Sequence, residues 1–312
     1  MTAPGFAMEA RDLRRSFGTE RAVDGVTFGV RAGELYGLVG PDGAGKTTTV
    51  RMLVGLMAPD RGEVRLEAAG GAKAGSEAAR EAVGYMPQQF SLYGDLSVGE
   101  NLQFFGQLFG LTKTQRQERE TRLLDVTRLG PFRDRRADAL SGGMYKKLAL
   151  ACALLHHPKV LLLDEPTNGV DPVSRRELWD LLYEFVSEGM AVLLATPYMD
   201  EASRCHRVGL MHRGRLIAED APAALVRSFP HPALLLHATD RDGLERRLAG
   251  RPDVMALSPQ GASLRVVVRA SGQADFRAWF AAQVPNGTME VVAPDFEDVF
   301  LGLSSAPREV AP

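Results

Sequence analysis

The run Gly40-Pro41-Asp42-Gly43-Ala44-Gly45-Lys46-Thr47 fits the pattern G-x-x-x-x-G-K-[ST]. A glycine-rich turn of this spacing can aim successive backbone N–H groups at one point. A helix beginning at its end adds partial positive charge, so a polyphosphate is the guest such a loop suits. Lys46 is placed to reach the β- and γ-phosphates of a nucleotide, and the Thr47 hydroxyl to bind Mg²⁺.

A second constellation lies further on. The apolar run Val160-Leu161-Leu162-Leu163 ends in Asp164-Glu165. A buried strand there would deliver Asp164 beside the glycine loop as a holder of Mg²⁺, directly or through water. Glu165, one residue on, is placed to orient or deprotonate an attacking water.

These residues need a scaffold. Glu34 to Val39 reads as a short buried strand before the loop, and Thr48 to Met57 as a helix after it. Met8 to Leu13 and Val23 to Val30 read as strands with alternating faces, separated by a turn at Arg15 to Gly18. The turn aromatic Phe17 can stack on a base or plug the turn, and the pattern alone does not choose. Ala68 to Ser76 reads as a mobile Gly-rich loop, and Ala82 to Pro87 as a strand followed by Gln88. Val98 to Leu111 reads as a helix with Leu102, Phe105, Leu108 and Phe109 on one face, for core packing first and contact with a membrane partner second. Arg116 to Leu129 is a charged helix, and Arg133 to Arg136 a basic, solvated cluster. Leu140-Ser141-Gly142-Gly143 leads into the helix Met144 to His156. Asp171-Pro172 opens the helix Val173 to Ser187, and Ala191 to Ala195 is another buried strand. Apolar strands alternating with helices predict an α/β fold with a mainly parallel sheet covered on both faces. From about Pro222 the pattern becomes β-α-β-β-α-β, a small α+β unit of ferredoxin-like order. A last helix, Phe296 to Leu303, is capped by Asp295 with Asp298 three residues on. The expected domains are 1–221 and 222–312.

Composition narrows the classes. The 312 residues carry a net charge of −2, which does not suggest a nucleic-acid partner, and 45% hydrophobic residues suffice for two cores. Cys152 and Cys205 lack metal-ligand spacing and fit a reducing compartment; Cys152 reads as a buried thiol. Met1 to Glu9 has no basic segment followed by an apolar one, so no leader is expected. No run approaches the ~20 apolar residues of a membrane span. A soluble chain is expected, with any membrane role exerted through a partner.

The order of motifs resembles the nucleotide-binding subunit of ABC transporters. It runs from the glycine loop through Gln88, Leu140-Ser141-Gly142-Gly143 and Leu163-Asp164-Glu165-Pro166 to Asp171, within about Met8 to Ala221. The resemblance implies a P-loop NTPase fold of the ABC type, with an antiparallel β subdomain and a helical subdomain. It implies ATP as the nucleotide, held by Gly40 through Thr48 with Mg²⁺ on Thr47, Gln88 and Asp164. Phe17 then matches the aromatic that stacks on adenine. Gln88 matches the glutamine that contacts Mg²⁺ and the attacking water, and Glu165 the catalytic carboxylate. Ser141, Gly142 and Gly143 match the signature that closes over ATP held by a second subunit, homo- or heterodimeric. Asp171 matches the residue that communicates across that dimer. The glycine loop, Ser141-Gly142-Gly143-Met144 and the tail Pro294 to Phe300 resemble the ABC-2-type exporter branch, including its drug-resistance exporters. That branch implies a separate integral membrane permease and a cytoplasmic position on the inner face of the cell membrane. The alternatives are a nucleotide-binding regulatory partner of a second cassette and a non-transport ABC ATPase.

Two departures from the family stand out. Asp42 replaces a commoner Asn; a carboxylate beside triphosphate is repelled, so it is expected to face away or bond within the loop. Pro197, in Thr196-Pro197-Tyr198-Met199-Asp200-Glu201-Ala202, replaces the histidine that contacts the γ-phosphate. Proline offers neither a polar side chain nor an N–H, so slow turnover with retained ATP binding is expected. His206 lies too far along the chain to be assumed a substitute.

Overall fold

A computed structural model describes residues 5–89 and 91–305. The stretch read for a leader, Met1 to Glu9, therefore lies outside the described residues as far as residue 4. The chain divides into two compact units, Met1–Leu216 and Ile217–Pro312.

In the first unit a long hairpin opens the fold, β1 (Phe6–Phe17) and β2 (Glu20–Arg31), followed by β3 (Leu35–Val39) and α1 (Lys46–Val54). Next come β4 (Arg61–Leu66), β5 (Ala72–Lys73), α2 (Glu77–Ala82) and β6 (Val83–Met86). Three helices follow, α3 (Val98–Leu108), α4 (Lys113–Val126) and α5 (Gly142–Leu154), then β7 (Val160–Asp164), α6 (Pro172–Ser187) and β8 (Ala191–Thr196). The unit closes with α7 (Met199–Ala202), β9 (Arg207–His212) and β10 (Arg215–Asp220), the last crossing its boundary.

Two sheets result. The order β2-β1-β4-β5 is antiparallel throughout, which is the expected antiparallel subdomain. The order β10-β9-β3-β8-β7-β6 contains five strands in parallel register. Its central strands β3, β7 and β8 are buried at every residue. Such strands read as continuous apolar runs because both faces are covered. Each Leu or Val fully buried there contributes ~1.5–3 kcal/mol.

Three expectations need correction. Ala68 to Ser76 is not one loose loop: β5 pairs with the edge of β4, and Ser76 caps α2 by accepting from the Ala79 amide. The Arg15 to Gly18 turn is mostly strand, because β1 keeps its pairing with β2 as far as Phe17. The apolar stripe of α3 is narrower than its sequence suggests. Val98, Leu102 and Gly106 are buried at i, i+4 and i+8, whereas Leu108 is 66% and Phe109 38% exposed. The side chains of Arg116 and Leu155 lie against Gly106. Phe109 instead stacks on His156, with ring centroids 4.0 Å apart.

The basic cluster does lie in solvent, with Arg133 donating to Glu120 at 2.7 and 3.0 Å and Arg136 to Asp138.

The second unit holds α8 (Pro222–Ser228), β11 (Ala233–His237), α9 (Arg241–Leu248), β12 (Val254–Gln260), β13 (Ser263–Val268), α10 (Gln273–Gln283), β14 (Thr288–Val292) and α11 (Phe296–Ser304). The sheet order β12-β13-β11-β14, antiparallel at every pairing, is the ferredoxin-like arrangement expected. Alternate residues Leu234, Leu236, Leu264, Val266 and Val268 form its core with Leu244 and Phe276 from the helices. The capping box at α11 is present, and Asp298 also accepts from Arg265 at 2.6 Å.

Candidate functional site

Register decides what meets what. Val39 lies opposite Thr196, Ala195 opposite Asp164, and Leu163 opposite Met86. The carboxyl ends of β3, β8, β7 and β6 therefore share one edge of the sheet. In open α/β sheets that edge is where ligands bind. The residues just beyond those ends are Gly40, Pro197, Glu165 and, two past Met86, Gln88.

The glycine loop has the geometry its spacing predicts. The Gly40 amide donates to the Thr196 carbonyl at 3.3 Å, which ties the loop to the end of β8. Gly45 is the N-cap of α1 with φ +102°, and a Cβ there would sit 2.2 Å from the Ala22 carbonyl oxygen. Only glycine fits that position. With no side chain capping α1, its first amides, including those of Lys46, Thr47 and Thr48, lack partners within the helix and suit an anion. Lys46 is buried and folds back on the loop, donating to the Gly40 carbonyl at 2.7 Å and the Pro41 carbonyl at 3.0 Å. Burial lowers its pKa; Glu165, Asp42 and Asp164 oppose that. Asp42 is exposed, as its charge requires.

The carboxylates meet this loop as expected. Asp164 is 1% exposed, and the Thr47 hydroxyl donates to it at 3.2 Å. Burial pushes its pKa up, more than the Thr47 bond and the Lys46 charge pull it down. A buried carboxylate held directly by a hydroxyl is a good fit for a hard cation, and Thr47 supplies the second oxygen. Among the described residues no cluster of three or more His, Cys, Asp or Glu side chains forms a metal site. Glu165 takes φ +50°, in the left-handed region, with its amide bonded to the Ala195 carbonyl at 2.9 Å. Its Oε2 accepts from Gln88 Nε2 at 2.9 Å and from Asn168 Nδ2 at 3.3 Å.

Ser141 caps α5, accepting from the Met144 amide, and Asp171 caps α6, accepting from the amides of Val173 and Ser174 at 3.0 Å. The Ser174 hydroxyl and these amides hold the Asp171 carboxyl below its ordinary pKa. A Cβ on Gly143 would sit 2.3 Å from the Ser174 side chain, and one on Gly142 would lie 3.2 Å from the Gly169 carbonyl oxygen. The signature glycines thus pack on the segment that follows Glu165.

A family model described as ABC transporter matches residues 23–168. The chain is 44% identical over 278 residues to the probable multidrug ABC transporter ATP-binding protein YbhF of Escherichia coli. That similarity takes in 88% of this chain but 47% of the relative, so the chain spans about half of that protein. It is also 44% identical to the Nod factor export ATP-binding protein I of Paraburkholderia xenovorans, across 72% of this chain and 74% of that one. A solved structure of an ATP-binding subunit of an ABC transporter superposes with a TM-score of 0.65 at 31% identity, covering 72% of this chain and 93% of that one. The chain belongs to the ABC transporter ATP-binding family. Its first unit has the fold of an ABC cassette.

The remaining expected residues of the cassette are at its edges. Phe17 ends β1, is 48% exposed, and has the Arg15 guanidinium 5.3 Å from its ring centre. Arg15 is itself fixed by Asp60 at 2.7 Å, so its guanidinium covers one ring face while the residue stays about half exposed. Pro197 directly follows Thr196, the residue bonded to Gly40, so the expected histidine position does adjoin the loop. His206 cannot replace it. Its Nδ1 accepts from the Leu35 amide at 3.0 Å, at the opposite end of β3.

Sequence reading missed three neighbours of Glu165. Asn168 bonds it directly. Tyr198 reaches the Asn168 side chain at 3.5 Å. Lys146 donates to the Gln88 carbonyl at 3.3 Å, and Glu165 and Asp164 partly offset the loss of basicity that burial causes in it. Asn168 sits three residues past Glu165, close enough for a local turn to fold it back. Nothing in the local pattern marks Lys146, because its contact spans 58 residues.

Proposed function

We propose that this chain is the ATP-hydrolysing subunit of an ABC-2-type exporter, driving efflux through a separate integral membrane permease. The observation that carries this reading is the meeting of the Thr47–Asp164 and Gln88–Glu165 pairs beside the glycine loop. Phosphoryl transfer is mostly positioning and charge stabilisation, and this edge supplies both.

ATP would lie along the loop, with its phosphates on the amides of Gly43 to Thr48 and its adenine on the ring of Phe17. Lys46 would exchange the carbonyls of Gly40 and Pro41 for phosphate oxygens, a stronger charge-assisted bond. Thr47, Asp164 and Gln88 would hold Mg²⁺, which neutralises charge developing on the phosphates. Glu165 orients a water and takes its proton as the water oxygen bonds to the γ-phosphorus and ADP departs. Ser141, Gly142 and Gly143 would close over ATP held by a second cassette, with Asp171 facing the partner. Names of relatives, a multidrug transporter subunit and a Nod factor export subunit, support export as the work done. Leu108, exposed at the end of α3, suits contact with a permease better than a core. No helix among the described residues is long and apolar enough to cross a membrane, so a separate permease would place the cassette at the inner face.

The test is to express the chain with its neighbouring reading frames and isolate what binds it. Co-purification with a membrane protein, and ATPase activity lost on Glu165→Gln, are the expected results. Isolation with ribosomes or DNA instead would overturn the export reading. ATP binding without hydrolysis, restored by a second cassette chain, would favour the regulatory-partner reading.

A further inference from the structure

Glu201 is a fully buried carboxyl that the chemistry above does not use. It sits in α7, just past the Pro197 segment. One of its oxygens accepts from the Thr167 hydroxyl, the other from the Thr196 hydroxyl at 2.6 Å. Both threonines are themselves buried. The Thr196 oxygen in turn accepts from the Tyr198 amide at 3.1 Å, beyond Pro197.

The two threonines belong to the two segments that flank Glu165. Thr167 lies between Glu165 and Asn168, and its carbonyl accepts from the Val170 amide at 3.1 Å. Thr196 ends β8, and its carbonyl accepts from the glycine loop at Gly40. Together with the Glu165 amide on the Ala195 carbonyl, this side chain fastens the Glu165–Asp171 segment to the strand end that carries both the loop contact and Pro197. Burying a carboxyl is costly unless its oxygens are hydrogen-bonded, and here both are. An apolar residue would fill the volume without that cost. The placement of the carboxyl is explained by what it joins.

We propose that Glu201 is a positioning residue for hydrolysis, holding the Glu165–Asn168 turn in register with the end of β8. The role rests on the ATPase reading above. Glu165 stands in a left-handed conformation, and its carboxylate is aimed by Asn168. Both features depend on where the turn is anchored. Loss of the Thr167 bond lets the turn drift while the glycine loop, held by β3, α1 and the Gly40–Thr196 backbone bond, keeps its shape. The effect must then fall on kcat and leave the KM for ATP alone, because a small misplacement of the base slows chemistry without weakening phosphate contacts.

The experiment compares Glu201→Gln, which keeps the shape but can accept at only one atom, and Thr167→Val, which leaves the carboxylate intact. Each removes one hydrogen bond, so kcat is expected to fall about tenfold in each, with KM within about twofold of the parent. The double variant is expected to fall little further than either single one. Wild-type kcat in Glu201→Gln, or a rise in KM with kcat unchanged, would overturn the proposal. Thr167→Val carries the same test if Glu201→Gln does not fold. A second readout separates this claim from the ATPase reading. Amide hydrogen exchange in the nucleotide-free chain should quicken together at 165–171 and at Tyr198 in both variants, with α1 unchanged. If the parent chain hydrolyses no ATP, the functional reading fails, while exchange still decides the anchor: unaltered exchange at those amides refutes it.

Discussion

The two ends of the parallel sheet handle charge in opposite ways. At the amino end Glu34 is paired: Arg207 donates to it at 2.8 and 3.3 Å, and the Arg31 amide at 2.7 Å. His206 there is occupied by the Leu35 backbone. At the carboxyl end Asp164 is held by a hydroxyl at 3.2 Å, and Lys46 lies on carbonyls. One end has ion pairs closed within the chain. The other keeps a buried anion and a buried cation on neutral partners, which the proposed Mg²⁺ and ATP would replace. The same strands supply both ends, so the difference lies in the residues at their tips, and it supports the proposed chemistry at the carboxyl end.

The largest effect should come from breaking the chemical end. Glu165→Gln keeps the shape and the Asn168 contact but cannot take a proton. ATP hydrolysis should fall by ~10²–10⁴, the contribution typical of a general base, with nucleotide binding retained in an equilibrium titration. Loss of binding alongside rate would mean that Glu165 serves architecture, as Glu34 does. Next in size is Pro197→His. The position adjoins the loop through Thr196, so an imidazole there can reach a transferring phosphoryl group. The expected gain in kcat is ~10²-fold, the scale of one stabilising contact. A parent rate that Glu165→Gln abolishes and Pro197→His leaves unchanged would show that the proline does not slow the site.

How much of this contrast was legible in the sequence differs between the two ends. The chemical end announces itself because its residues act through neighbours close in the chain. Gly45, Lys46 and Thr47 share one turn, and Asp164 and Glu165 share one strand end. The parallel sheet was equally plain, since strands buried on both faces are apolar runs. The α3 face was misjudged because periodicity counts apolar residues, whereas what covers them comes from other segments, as Arg116 and Leu155 do at Gly106. The Glu34–Arg207 pair was invisible for a similar reason: its partners are 173 positions apart, and each looks like an ordinary surface charge. Lys146 and the Glu201–Thr167 contact, across 58 and 34 positions, belong to the same class. Their meaning comes from the fold and from no spacing that a motif could record.

Smaller effects test the structural end. Arg207→Ala leaves Glu34, its side chain 8% exposed, with only the Arg31 guanidinium, 3.7 Å away. Breaking a buried pair from one side costs ~3–5 kcal/mol, and the remaining Arg31 contact with partial exposure of Arg207 reduces that to ~2–3 kcal/mol. Chemical denaturation should register the loss, with the KM for ATP unchanged in whatever fraction stays folded. A change in KM would mean that the two ends of the sheet are coupled.

The smallest effect has the opposite sign. Asp164→Asn keeps an acceptor for the Thr47 hydroxyl but removes the buried charge. The folded-state pKa of Asp164 is raised by burial, so the folded chain binds a proton more readily than the unfolded one. Its contribution to stability is full below the unfolded pKa and is lost as pH rises through the folded one. At neutral pH the ionised carboxylate is therefore a cost in the nucleotide-free protein. Asp164→Asn should raise the unfolding free energy there by ~1 kcal/mol, the scale of relieving a poorly compensated buried group. The gain should shrink as pH falls into the carboxylate range, where the parent is already neutral. Mg²⁺-dependent nucleotide binding should weaken in the same variant. Glu34→Gln, made at the paired end, should lower stability at neutral pH. If both substitutions move stability the same way, the two ends do not differ as described. Opposite signs would mean that the sheet tolerates strain at one edge only, where a cation and a phosphate can relieve it.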